Sequence, residues 1–228
     1  IQRGLDMLII ILFIGLLPID TMNGFLLHNN ISLPISVAQV YKSLLLILLV
    51  FKIAFRPRFL LYTFFISSIL FSPSIYQIFK LGQINHLFPD VIKISRYLTI
   101  ILSFYFFDDY FQNHRGEKII FQTVYVSYAV VVINILLKYI GLGYPMYNYD
   151  DIGSRGFFFA GNEISVLLLI LSAVIGKHLW MKSKYFLYFT IGFLTIFTAL
   201  TISSKASMIG AIIILVMVPI KRPNINSI

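Results

Sequence analysis

The residues of this 228-residue chain best suited to chemistry are a few cations set in an otherwise apolar sequence. Arg155 opens the run Arg155-Gly156-Phe157-Phe158-Phe159-Ala160-Gly161-Asn162-Glu163, where a cation and a carboxylate bracket aromatic and small residues. Thr201-Ile202-Ser203-Ser204-Lys205-Ala206-Ser207 places a second cation in a hydroxyl-rich turn. Lys93 and Arg96 are three residues apart and so share a helical face. The chemistry these types suit is anion binding. Arginine offers a planar fork that matches phosphate, and lysine offers a point charge. Asn162 is a suitable N-cap for the apolar run after it, and Ser203 or Ser204 for the run after Lys205; each cap would present free N–H groups and a positive dipole end. Lys205 in a first turn is disfavoured by that dipole, and its position makes sense if an anion lies between. The candidate anion-binding residues are therefore Arg155, Lys205, Arg96, Lys93, Asn162 and Ser204, and the catalytic candidates are Arg155 and Glu163. For Arg155 a solvated loop position is the competing reading. For Glu163 it is charge complementation of a helix start, since a general base needs a substrate hydroxyl in reach.

These residues must be held by membrane helices. The chain is 59% hydrophobic and 12% charged, with mean hydropathy +0.89, where a soluble domain carries about 25% charged residues. Spans of about 20 residues fit eight apolar runs, near residues 5–27, 33–55, 59–79, 84–107, 119–141, 157–176, 185–203 and 206–220. The sixth needs Phe157–Phe159 as its entry to reach full length. The first reads as a retained span rather than a cleaved signal peptide. The expected fold is an all-α, polytopic integral membrane helix bundle of about eight transmembrane helices, forming a single transmembrane domain over 1–228.

Cations orient the bundle. Arg3, Lys52, Arg56, Arg58, Arg115, Lys118, Lys177, Lys182, Lys184, Lys221 and Arg222 fall on one side, against Lys80, Arg155 and Lys205 on the other. Eleven against three predicts cytoplasmic N- and C-termini and puts Arg155 and Lys205 on the outer face. The net charge of +9 is thus a topology signal, and no nucleic-acid partner is expected. Lys42, Lys93, Arg96 and Lys138 lie inside spans, where charge costs upwards of about 2.5 kcal/mol. Lys138 reads as snorkelling to the headgroups, Lys42 as interhelical glue, and Arg96 as either snorkelling or phosphate binding. Asp90 is placed to neutralise Lys93 or Arg96. The linker Tyr144–Ser154 is broken by Gly143, Pro145 and Gly153, with Asp150 and Asp151 expected to be exposed. Gly210 and Ala206 leave room for close helix packing. With no cysteine and four widely separated histidines, neither a metal site nor a cofactor is expected.

At its two polar stretches the sequence resembles the O-antigen polymerase/O-antigen ligase superfamily of bacterial surface-polysaccharide enzymes. The family pattern of Arg, Gly, Phe, a small residue and Asn before an apolar helix is matched by Arg155 through Asn162. A later Thr/Ser-Ser-Arg turn is matched by Thr201 through Ser207, with Lys205 in place of the arginine, which keeps charge but loses the bidentate fork. The resemblance implies that residues 1–228 form the N-terminal portion of a longer architecture. It further implies a metal-independent, inverting glycosyltransferase in the bacterial inner membrane, polymerising undecaprenyl-diphosphate-linked oligosaccharide repeat units at the outer leaflet. Membrane lipid and other polysaccharide-assembly proteins are the further partners it implies. An O-antigen-type ligase, a lipid-linked glycan transporter or flippase, and a truncated inactive fragment are the alternatives.

Overall fold

The computed structural model describes residues 2–31, 33–81, 87–113, 117–147, 152–158 and 161–220. Among them the chain is helical: α1 (Gln2–His28), α2 (Val37–Ala54), α3 (Pro57–Leu81), α4 (Leu87–Asn113), α5 (Glu117–Leu136) continued by a 3-10 turn (Leu137–Ile140), α6 (Gly161–Met181), α7 (Tyr185–Ile202) and α8 (Lys205–Ile220). Each overlaps one of the eight apolar runs. Six helices, α1, α2, α3, α5 with its 3-10 turn, α6 and α7, are long and apolar enough to cross a membrane. In α4 the charges Asp90, Lys93, Arg96, Asp108 and Asp109 dilute the hydropathy. Helix α8, with 16 residues, reaches ~24 Å against ~30 Å of hydrocarbon.

The sixth run begins later than its composition suggests. Phe157 is not a helical entry; it lies in a turn after Gly156, whose φ of 59° ends any helical path, and α6 starts at Gly161. Asp150, Asp151, Phe159, Ala160, Arg115, Lys221 and Arg222 lie outside the described residues.

The helices form two compact units, residues 1–13 with 38–117 and residues 14–37 with 118–228. Helix α1 gives its first half to one and its second half to the other.

In the first unit, α1 buries Ile9, Ile10 and Leu12, α2 buries Leu45, Leu49 and Ile53, and α4 buries Leu102 and Phe106. Phe13 packs on Phe107 with ring centroids 4.8 Å apart, and the Tyr41 hydroxyl donates to the Leu12 carbonyl at 2.9 Å. Beside this apolar contact lies a charged one. Lys52 Nζ is 2.5 Å from Asp6 Oδ1 and 4.0 Å from Asp109 Oδ2, and Arg56 pairs with Asp109. The side chains of Asp6, Lys52 and Asp109 are 7%, 11% and 10% exposed and that of Arg56 is 43% exposed, so the network is buried at its centre, reaches the surface at Arg56, and ties α1, α2 and α4 together. Helix α3 packs on α4 and leaves Leu61, Phe64, Phe65 and Phe79 exposed. Its hydroxyls turn inward: Thr63, Ser67 and Ser68 donate to the carbonyls of Phe59, Thr63 and Phe64, which is how a lipid-facing helix satisfies them.

In the second unit α6 is central. Leu168, Leu171, Ile175 and Leu179 line its buried face at helical spacing, and α7 and α8 pack on it and on each other. Small residues set the approach. A Cβ at Gly210 would stand 2.5 Å from Leu169, and Gly192 faces Leu215. Ala206, by contrast, is exposed. Polar bonds then join the helices: Tyr128 Oη to Thr195 Oγ1 at 2.8 Å, and the Tyr188 hydroxyl to the Leu215 carbonyl at 2.6 Å.

The charged network has a clear mutational signature. Lys52→Met should cost about 3–5 kcal/mol, because Asp6 is left buried without its cation. Adding Asp6→Asn should recover most of the loss, since Asp109 keeps Arg56. Thermal unfolding of the two variants in detergent checks this; equal midpoints would contradict the network.

Candidate functional site

The second unit gathers the polar stretches at one end, where α1, α5 and α7 finish and α6 and α8 begin. The chain leaves α5 through the 3-10 turn, whose C-cap Gly141 is left-handed, and Gly143 is left-handed again. Tyr144 then pairs with Gly156 as an isolated antiparallel bridge. The Tyr144 N–H donates to the Gly156 carbonyl at 2.7 Å, and the Arg155 N–H donates to the Tyr144 carbonyl at 3.1 Å. Gly143 is at the bridge because a Cβ there would meet Gly156 Cα at 3.0 Å. The described ends of the linker therefore run side by side at this bridge.

Every backbone donor from 155 to 158 has a partner, as buried N–H groups require. Arg155 uses Tyr144; Gly156 N–H donates to Ser154 Oγ at 3.1 Å; Phe157 N–H donates to Asn134 Oδ1 at 2.9 Å; Phe158 N–H donates to the Arg155 carbonyl at 3.2 Å. Ser154, Phe157 and Asn134 are 1%, 3% and 2% exposed. Asn134 Nδ2 donates in turn to Thr21 Oγ1 at 3.1 Å on α1. A Cβ at Gly24, one turn further on, would overlap the Phe157 carbonyl oxygen, so α1 backbone lies directly against the loop.

On this mount the Arg155 guanidinium carbon lies 5.3 Å from the centre of the Tyr144 ring, a cation–π arrangement. His28, the last residue of α1, meets the same ring edge-on at 4.9 Å and Phe157 at 5.5 Å. Phe25 meets Phe157 edge-on at 5.3 Å. An arginine held by its backbone on both sides and laid on an aromatic face is oriented, and a guanidinium fork is a group whose geometry matches phosphate-like oxygens.

The second polar stretch meets this loop at the backbone. A Cβ at Gly153 (φ 74°) would collide with the Ile202 carbonyl, and Tyr139 Oη lies 3.0 Å from Thr201 Oγ1. Ser203 closes α7 in a left-handed conformation, its N–H on the Ala199 and Leu200 carbonyls. Ser204 is the residue before α8 and is buried, and Lys205 opens α8 and is exposed.

Several expectations change. Asn162 does not precede α6 as its cap; the helix starts at Gly161, so Asn162 and Glu163 both lie in its first turn and both are exposed. Gly161 can open the helix because it fits against Met146, which a Cβ would strike. Lys138, near the end of the fifth run, donates from Nζ to the Gly153 carbonyl at 2.9 Å, which holds that part of the loop to the end of α5. Lys93 and Arg96 belong to the first unit. Both are exposed there, and Lys93 lies 3.9 Å from Asp90, which also accepts from Ser74 Oγ at 2.9 Å. Asn134, Thr21, Gly24, His28 and Tyr144 were not singled out by the sequence as site residues. The one available hint was an Asn in an apolar run of valines and isoleucines, Val130 to Ile135. No group of three potential metal ligands occurs among the described residues.

No protein-family model, no curated protein and no solved structure matches this chain.

The close approach of α1 to the loop predicts opposite outcomes for two glycines of one helix. At Gly4 nothing lies within 4 Å of an added Cβ, so Gly4→Ala should be neutral or stabilising by up to about 1 kcal/mol. Gly24→Ala gains the same helix propensity but strikes a backbone carbonyl, so it should destabilise by about 1–3 kcal/mol. Paired melting curves in one detergent compare them, and equal shifts would remove the contact between Gly24 and Phe157.

Proposed function

We propose that this chain is a membrane glycosyltransferase of bacterial surface-polysaccharide assembly, acting at the outer leaflet of the inner membrane on undecaprenyl-diphosphate-linked repeat units. In this reading all eight helices cross the bilayer, with both termini in the cytoplasm as the cation bias predicts. The Arg155 loop and the turn before Lys205 then face outward. The observation that carries the reading is that these two stretches, some fifty residues apart in sequence, pack together at Gly153 and Ile202, with Arg155 oriented over Tyr144.

The chemistry follows from charge. An acceptor hydroxyl oxygen attacks the anomeric carbon from the face opposite the diphosphate, the sugar–phosphate C–O bond breaks, and the configuration inverts. The diphosphate leaves with added negative charge, which Arg155 and Lys205 stabilise best when they are already fixed in place. The hydroxyl proton passes to a carboxylate, for which Glu163 in the first turn of α6 is the candidate.

Arg155→Ala, made in the full-length gene and read by gel analysis of surface glycan, tests the assignment. Loss of long chains with single repeat units still displayed is the expected result and marks a polymerase. Loss of all transfer to the surface acceptor marks a ligase, and loss of lipid-linked glycan from the outer leaflet marks a flippase. Unchanged glycan removes Arg155 from the site.

A further inference from the structure

The Arg155 loop hangs on one side chain from outside it, and we propose that Asn134 is the positioning residue that fixes Arg155 for anion binding. The inference rests on the reading of Arg155 given above. Three observations bear on it. Asn134 is 2% exposed, although it sits in an apolar stretch of α5 where valine or isoleucine would pack without a polar penalty. Its amide is used at both ends: Oδ1 accepts from Phe157 N–H and Nδ2 donates to Thr21 Oγ1. Thr21 spends its own hydroxyl proton on the Leu17 carbonyl at 2.9 Å, so it can only accept from Asn134. That fixes which end of the amide faces the loop.

The third observation is steric. A Cβ at Gly156 would lie 2.5 Å from Asn134 Oδ1 and 2.6 Å from the Asn134 carbonyl, so the residue following Arg155 is shaped to the amide. Interhelical glue alone would need only the bond to Thr21. Here the other end of the amide holds the one loop donor between 155 and 158 that neither the loop backbone nor Ser154 satisfies. Without it, Phe157 N–H is stranded in a buried site, and the loop relieves that cost by lifting away from α5 and carrying Arg155 off Tyr144.

The test uses the absence of cysteine in the chain. Ser154→Cys places a thiol at a position 1% exposed within the loop, and Ser172→Cys a control thiol at a position 4% exposed on α6. Labelling of each by a maleimide is followed in native membranes. Asn134→Leu should raise the labelling rate at 154 at least tenfold and leave 172 unchanged. Asn134→Asp retains the Oδ1 acceptor for the Phe157 N–H and should restore protection. In the full-length gene, Asn134→Leu should reproduce the glycan defect of Arg155→Ala, and Asn134→Asp should relieve it. A protected 154 thiol in Asn134→Leu overturns the proposal, as does a rise at both thiols, which would make Asn134 a general packing residue. If 154 opens alone while the glycan is unchanged, the clamp stands and the function proposed for Arg155 falls.

Discussion

The hydrogen bond from Phe157 N–H to Asn134 Oδ1 is the interaction on which the polar end of the second unit depends. In a helix each N–H finds its acceptor four residues back, so apolar sequence can cross a bilayer without further provision. Between α5 and α6 the chain abandons that pattern, and each buried donor needs a separate answer. The loop supplies most of these itself, through the Tyr144–Gly156 bridge and Ser154. At Phe157 the left-handed turn at Gly156 points the N–H away from the loop, and only a side chain from the neighbouring helix reaches it. Leucine or valine at 134 would pack as well and leave that donor stranded.

The helices were legible in the sequence because length and hydropathy are enough to define them. The eight apolar runs each overlap one helix, and α7 and α8 begin and end within a residue or two of expectation. Errors arose where local signals compete with distant partners. Phe157 was read into the sixth span because an aromatic residue beside an apolar run looks helical; its N–H belongs to Asn134, 23 residues earlier. For Lys138 the sequence carries no sign of its partner, a carbonyl 15 residues later. Asn162 has the composition of a cap, but the helix starts at Gly161, two residues before the Glu163 start that such a cap implies, with Gly161 set against Met146. The meeting of the two polar stretches was conceivable from their spacing, but the contact runs through glycine backbone, which carries no chemical label.

The two units handle charge in different ways. In the first, Lys52 and Arg56 meet Asp6 and Asp109, and Lys93 meets Asp90. Each of these contacts neutralises a cation as it holds it. The topology count treated Lys52 and Arg56 as surface cations, and the carboxylates that pair with them lie 46 and 53 residues away in sequence. In the second unit, Arg155 meets an aromatic face and Lys138 a carbonyl. Both kinds of contact fix a cation in place: the first joins helices, and the second lays Arg155 on an aromatic face of its own loop and ties that loop to the end of α5.

Stiffness is the remaining requirement, and the glycines meet it. Gly24, Gly143, Gly153 and Gly156 each stand where a Cβ would meet the loop, its bridge partner, the end of α7 or Asn134. Glycine is usually a source of freedom, since it gives the unfolded chain more conformations. Here its small size brings backbone against backbone, joined at Gly156 by the Asn134 amide and at Gly153 by the Met146 side chain. On the function proposed above, an arginine carried on such contacts holds its position before any anion arrives. Donors aimed in advance at developing charge stabilise a transition state without reorganising, and four glycines with one buried asparagine are a way to obtain that from a loop rather than from a helix.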